Sequence, residues 1–164
     1  MIKEKMQKAL NKQLNEELFS SYAYLAMSAY FEAENLIGFA SWMKIQSQEE
    51  YAHAMKIFEY MHQAGGKVVL QKIDVPRLTW KTSLEVFQDM LKQELSVTKS
   101  IDDLVDLAIA EKDHATNNFL QWFVSEQVEE EASSIKFLER MKLIGDNKNG
   151  LFLLDREMGM RARG

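Results

Sequence analysis

Apolar residues recur every three to four positions through nearly all of the 164-residue chain, and that period admits helices and little else. The pattern breaks around Glu34-Asn35, from Gly65-Gly66 through Lys81, at Lys112-Asp113, and from Gly145 through Gly150. Four long helices are therefore predicted near 5–33, 36–64, 83–111 and 114–144, with a short tail piece near 149–160. Their starts are marked by Asn35 ahead of Leu36, by Thr82-x-x-Glu85 as a capping box, and by Asp113 ahead of the fourth segment. Gly65 and Gly145 suit C-terminal stops. With 7 Gly and 1 Pro in the whole chain, disorder and loop-rich β architectures are disfavoured.

Two of the joins are short, so the helices pair as two antiparallel hairpins. The middle connection, residues 65–82, holds Val68-Val69-Leu70 and the lone Pro76 with little helical patterning. Fully extended, it reaches at most about 60 Å, whereas a helix of about 29 residues is about 43 Å long. It can therefore run the length of a bundle and start the third helix back at the opposite end. The expected fold is all-α: a four-helix up-down bundle with one long crossover between helices two and three. All of it is expected to form one domain over residues 1–164, the bundle occupying about 5–144.

Alternating steps of three and four along each helix trace the seam that faces its neighbours. The first seam reads Leu10, Leu14, Glu17, Ser21, Tyr24, Ser28, Phe31, and the second Phe39, Met43, Gln46, Glu50, His53, Ile57, Tyr60. The third reads Leu84, Phe87, Leu91, Glu94, Thr98, Ile101, Val105, Ala108, and the fourth Leu120, Phe123, Gln127, Glu130, Ser134, Phe137, Met141, Ile144. Each is apolar at its ends and polar near its middle. Residues equally far from a tight turn sit at one level of a hairpin. Glu17 stands nearly as far from the Glu34-Asn35 break as Glu50 and His53 do, and Glu94 is matched in the same way with Gln127 and Glu130 about Lys112-Asp113. Both polar layers thus fall roughly 25 Å from their turns, near mid-bundle.

Burying Glu17, Glu50, Glu94 and Glu130 side by side is unfavourable unless protons or metal cations cancel the charge. No Lys or Arg occupies those seam positions. Glu50-x-x-His53 puts a carboxylate and an imidazole on one helix face at the spacing by which bundles ligate metals. Cysteine is absent, which removes thiolate zinc sites, iron–sulfur clusters and disulfides. Oxygen-rich ligation with a single imidazole suits iron or manganese. Glu50, placed between Glu17 and Glu94, is positioned to bridge two ions. Taken singly, a Glu on a seam is more often a solvated helix edge, a lone His a hydrogen-bonded structural residue, and a run such as Glu126-Gln127-Val128-Glu129-Glu130-Glu131 an exposed acidic face. Those readings weaken for six residues that meet at one level. Tyr24, two turns from Glu17, is either a core aromatic or a hydrogen-bond partner of a ligand. His62 and His114 read as surface residues near helix ends, and Trp122 as packing.

The 20 Lys+Arg against 25 Asp+Glu, a net charge of −5, offer no basic footprint for nucleic acid or an anionic membrane. Apolar runs are too short to span a bilayer, and Met1-Ile-Lys-Glu-Lys-Met-Gln-Lys lacks the apolar core of a leader. A cytoplasmic location is the expectation.

Three stretches carry a more specific signal: Gln48-Glu49-Glu50-Tyr51-Ala52-His53-Ala54-Met55-Lys56, Glu111-Lys112-Asp113-His114-Ala115-Thr116, and Phe119 through Glu131. With them the chain resembles the bacterial and archaeal non-haem ferritins over essentially its whole length. The resemblance implies that Glu17, Glu50 and His53 hold a first iron, with Glu50 bridging, and that Glu94 and Glu130 hold a second, with Gln127 close by. It implies a third iron site at Glu49, Glu126 and Glu129, sharing Glu130, and a tyrosine beside the centre at Tyr24. It further implies a short C-terminal fifth helix at about 149–160, containing Leu151-Phe152-Leu153-Leu154, and a hollow cage of 24 subunits. Bacterioferritin-like sites repeat Glu-x-x-His on the fourth helix, where this chain has Gln127-x-x-Glu130, and their haem-ligating methionine is replaced by Ala52. No haem is expected. Rubrerythrins need cysteines, and the twelve-subunit starvation ferritins usually lack the tail helix. Gly159-Met160-Arg161-Ala162-Arg163-Gly164 matches no family motif.

The implied function is iron storage with ferroxidase activity: Fe(II) is oxidised by O2 or peroxide (H2O2) at the dinuclear site, and ferric oxide-hydroxide is stored in the cage. Two rivals from other classes remain at this level. One is a di-iron oxygenase or peroxidase-type bundle acting on a small molecule, which usually carries histidine on both hairpins. The other is a metal-free helical interaction module with solvated acidic seams.

Overall fold

The computed structural model describes residues 1–161, so Ala162, Arg163 and Gly164 lie outside the described residues. Five helices follow in order: α1 (Glu4–Ala33), α2 (Ile37–Gln63), α3 (Ser83–Ala110), α4 (His114–Ile144) and α5 (Lys148–Met158). The four long helices stand where the periodicity puts them and α5 where the resemblance does, with ends within two residues. α1 packs mainly on α2 and α3 on α4, and α1 also joins α3. This is the expected bundle of two hairpins. Asn35 and Lys112 take left-handed backbone conformations at the two tight turns, with φ of 59° and 57°, which lets the chain reverse within a few residues. No helix among the described residues is long and apolar enough to cross a membrane.

The crossover runs back along α1. The Asn11 side chain donates to the Lys67 carbonyl and accepts from the Val69 N–H, and Gln7 accepts from the Lys67 N–H. At its far end Trp80 is buried against the Tyr30 ring and donates its indole N–H to Asp89. Thr82 then caps α3 by accepting from the Glu85 N–H, and Asp113 caps α4 through the Thr116 N–H, both as the sequence predicts.

The start of α2 departs from expectation. Asn35 does not cap it, because its backbone is committed to the left-handed turn. Leu36 occupies the cap position and offers no side-chain acceptor. The acceptor comes from α5 instead: Asp155 Oδ1 takes the Phe39 N–H at 2.8 Å. The two backbones approach so closely that a Cβ on Gly38 would lie 1.7 Å from the Asp155 carbonyl oxygen. Asp155→Ala is expected to cost about 1 kcal/mol, as loss of a cap does, and to lower the melting temperature by about 2–4 °C. Gly38→Ala is expected to cost more, because backbone rather than a flexible side chain must move. A melt of Gly38→Ala at the wild-type temperature would refute the tight docking of α5.

Two apolar clusters fill the bundle. One, at the α1–α2 turn, gathers Phe31, Phe39, Met43, Phe87 and Met90 with Leu154 and Met158 of α5. The other gathers Met6, Leu10, Leu14, Ile57, Met61, Ile101, Leu104 and Leu120. The polar layer lies between them.

Candidate metal centre

Each of the four central helices sends its mid-seam residues into this layer. Glu17, Glu50 and Glu94 are each 1% exposed, and His53, Gln127 and Glu130 are buried with them. Their ligand atoms fall into three compact groups: Glu17, Glu50 and His53; Glu50, Glu94 and Glu130; and His53, Glu126 and Glu130. Each pair of groups shares one residue. Glu50 joins the first two groups, which is the position a bridging carboxylate requires.

Every central carboxylate carries a supporting contact. Gln13 donates to Glu17 Oε1 at 2.8 Å. Gln46 donates to Glu50 Oε1 at 3.0 Å and to Glu130 Oε2 at 2.8 Å. Tyr24, fully buried in the core, also donates its hydroxyl to Glu94 Oε1. Gln127 Nε2 lies 3.3 Å from Glu94 Oε2 and 3.2 Å from both the Glu94 carbonyl and Thr98 Oγ1. Gln127 therefore anchors Glu94. His53 sets Nδ1 3.2 Å from Glu50 Oε2 and 3.9 Å from Glu17 Oε2, and Nε2 3.7 Å from Glu126 Oε1. Its ring meets Trp122 and Phe123 edge to face. Trp122 is thus more than core packing: it is half-exposed, flanks the imidazole, and carries the Lys56 ammonium 4.3 Å from its ring centre.

His53 is the one basic side chain that the described residues bring into this layer. Among the described residues no Lys or Arg pairs with Glu17, Glu50, Glu94 or Glu130. Burial, and then the neighbouring Glu50, hold the Glu17 carboxyl well above its ordinary value. The same two causes raise Glu94 to about 8, against the lowering effect of Tyr24 and Gln127, and raise Glu130 to about 7. Burial opposes charging of His53, yet its contact with Glu50 and the fields of Glu17 and Glu130 bring it to about 9. Burial also raises Tyr24 well above its ordinary value. Glu17 Oε2 is buried with no hydrogen-bond partner. A cluster that must hold protons when empty, with an orphaned carboxylate oxygen aimed at its only imidazole, has the donor chemistry of a hard-cation site.

The outer acidic residues are arranged more loosely. Glu49, Glu126 and Glu129 line a cavity of about 360 Å³ with Gln46, Glu130 and Arg161. Of the three, Glu126 alone joins a compact group, through His53 and Glu130. Burial raises the Glu126 carboxyl too, with His53 pulling the other way. His62 and His114 are exposed and remote from the layer.

Sequence reasoning assigned no role to Gln13, Gln46 or Arg161. The two glutamines had a readable signal: each stands four residues before a seam carboxylate, the spacing at which an amide can reach it on one helix face. Arg161 had none, since it follows α5 and belongs to no periodic segment.

A family model for the ferritin-like domain matches residues 7–144. The chain is 48% identical over 161 residues to a bacterial non-heme ferritin of Bacteroides fragilis, covering 98% of this chain and 100% of that one. It is 38% identical over 162 residues to the bacterial non-heme ferritin of Staphylococcus aureus, covering 99% and 98%. An open pore ferritin from the hyperthermophilic archaeon Archaeoglobus fulgidus superposes with a TM-score of 0.98 at 47% identity, over 99% of this chain and 100% of that one. With a domain match across the whole bundle and near-identical backbones, the chain belongs to the ferritin-like family.

Proposed function

We propose that this chain is an iron-storage ferritin with ferroxidase activity. The observation that carries the reading is the pair of compact ligand groups joined at Glu50, buried and, among the described residues, without a Lys or Arg partner. Two Fe(II) ions are the substrate. Glu17, Glu50 and His53 receive one, and Glu50, Glu94 and Glu130 the other. Each ion gives up one electron, and the two electrons reduce O2 to hydrogen peroxide, or hydrogen peroxide to water.

The residues contribute orientation and charge. Hard anionic oxygens stabilise Fe(III) over Fe(II) and so favour electron loss. Gln13, Gln46, Gln127 and Tyr24 fix the carboxylates by hydrogen bonds, the support that outer partners give a metal site. In Gln127-x-x-Glu130, Glu130 stands where a second Glu-x-x-His would place its histidine, which weighs against an oxygenase with histidine on both hairpins. Glu49, Glu126 and Glu129, with Glu130, form an outer site for a third iron.

Storage requires a closed assembly. Phe152 and Leu153 of α5 are exposed at 58% and 70%, an apolar surface that self-association would cover. We assign a homo-oligomeric cage of 24 subunits, which at 19.0 kDa each has a mass of about 460 kDa. The test is an aerobic Fe(II) titration on the species weighed by native mass spectrometry. Uptake far beyond the few ions that the carboxylates can hold, on a particle near that mass, is the expected result. Saturation at two or three ions per chain, or a monomer at every ionic strength, refutes storage.

A further inference from the structure

Arg161 brings a cation to the edge of the acidic layer from outside the four-helix pattern. Its backbone N–H closes a turn onto the Met158 carbonyl, directly after the helix that Gly38 and Asp155 lock onto α2. From there its guanidinium reaches back over α2. Nη2 donates to Glu49 Oε2 at 2.7 Å, Nη1 donates to Gln46 Oε1 at 2.9 Å, and the fork lies 4.5 Å from the centre of the Trp42 ring. The side chain is 22% exposed. This is an arginine held on three sides, unlike the solvated i,i+4 pairs elsewhere on the surface.

It stands among the outer acidic residues. Arg161 lines the same cavity as Glu49, Glu126, Glu129 and Glu130, and its partner Glu49 is one of the outer carboxylates. It also fixes the sense of Gln46. With Oε1 accepting from the guanidinium, the Gln46 amide nitrogen must face Glu50 and Glu130, so the one cation is linked through a single amide to the bridging carboxylate.

We propose that Arg161 is a tethered cation that fills the mouth of the outer acidic site, and that a metal ion binding at Glu49 must displace it. The segment after α5 then sets the affinity of the outer site and opens it only to ions that outcompete a guanidinium for Glu49. The inference rests on the reading that Glu49, Glu126, Glu129 and Glu130 receive a metal ion.

Terbium(III), a hard trivalent ion, is a suitable probe, because Trp42 lines the cavity and can sensitise its emission. The assembled, iron-free protein is titrated as wild type, Arg161→Gln, Glu49→Gln and the double variant. Arg161→Gln is expected to bind the outermost Tb(III) about tenfold more tightly, through loss of a partly buried ion pair and of repulsion between two cations. In the Glu49→Gln background the same substitution is expected to change affinity by less than about twofold, since the shared partner is gone. Equal outer-site affinity in wild type and Arg161→Gln overturns the tethered-cation role and leaves the outer site standing. An equal gain in the Glu49→Gln background also overturns it, by showing that Arg161 acts elsewhere. If neither wild type nor Arg161→Gln takes up Tb(III) beyond the central layer, the outer-site reading falls and this inference falls with it.

Discussion

Glu50→Ala is expected to slow the initial oxidation of Fe(II) by at least about 100-fold while leaving the bundle folded. Loss of an outer partner alone costs a metal site about 10–100-fold, and Glu50 belongs to both central groups. Without it the two ions lose their common carboxylate, and two electrons can no longer be delivered together to one oxidant. Stability moves the other way. Glu50 is a cause of the raised values of Glu17, Glu94 and Glu130, so its removal relieves like-charge repulsion and one buried carboxylate's desolvation. The metal-free variant is expected to melt no lower than wild type, the small cavity notwithstanding. His53→Ala takes one ligand from one ion and is expected to slow the first phase less. Substituting Glu129, which lines the outer cavity only, is expected to spare the first phase and alter later turnover. Stopped-flow absorbance on the four proteins orders these effects. A wild-type initial rate for Glu50→Ala would show that the dinuclear assignment is wrong.

What made the layer legible was geometry that a helix cannot evade. An apolar period of 3.6 fixed each seam, and equal distances from Glu34-Asn35 and Lys112-Asp113 placed Glu17 beside Glu50 and Glu94 beside Gln127 and Glu130. Side-chain direction was not legible. Gln127 lies at the right level yet turns its amide onto Glu94 and Thr98, because Thr98 and the Glu94 carbonyl offer it acceptors that the seam pattern does not reveal. Contacts between segments far apart in sequence were hidden as well. Asn35 is a sound cap by residue type, but the tight turn claims its backbone, and Asp155 substitutes from 116 residues away. Arg161 depends on the same docking of α5. Both misses sit where the fifth helix meets the second, the one contact that neither periodicity nor hairpin arithmetic specifies.

The charge stored in the empty layer sets a pH dependence opposite to that of most acidic proteins. Glu94 and Glu130 hold protons up to about 8 and about 7, and Glu17 is raised well above its ordinary 4.5. His53 keeps its proton to about 9 against an ordinary 6.5. In each case the folded chain binds a proton more tightly than the unfolded chain. Stability from these groups is therefore complete below the unfolded values and is lost as pH rises through the folded ones. Glu130 and Glu94 act from about 4.5 to about 7 and about 8, and His53 from about 6.5 to about 9. Each extra proton held by the folded state steepens the fall by about 1.4 kcal/mol per pH unit. Glu4 and Glu157, whose surface partners Lys8 and Arg140 lower them, titrate below this window and do not offset it. The metal-free protein is thus expected to lose melting temperature steadily from pH 5 to pH 9, and Glu50→Ala to lose less. Metal ions replace those protons, so adding Zn(II) at pH 7 is expected to release protons into a weakly buffered solution and to make melting temperature rise with pH. Calorimetric melts across the window, with and without Zn(II), read both slopes. A metal-free melting temperature that is flat or climbs over pH 5–9 would mean that Glu17, Glu94 and Glu130 ionise freely in the folded chain, and that the layer is solvated rather than poised for cations.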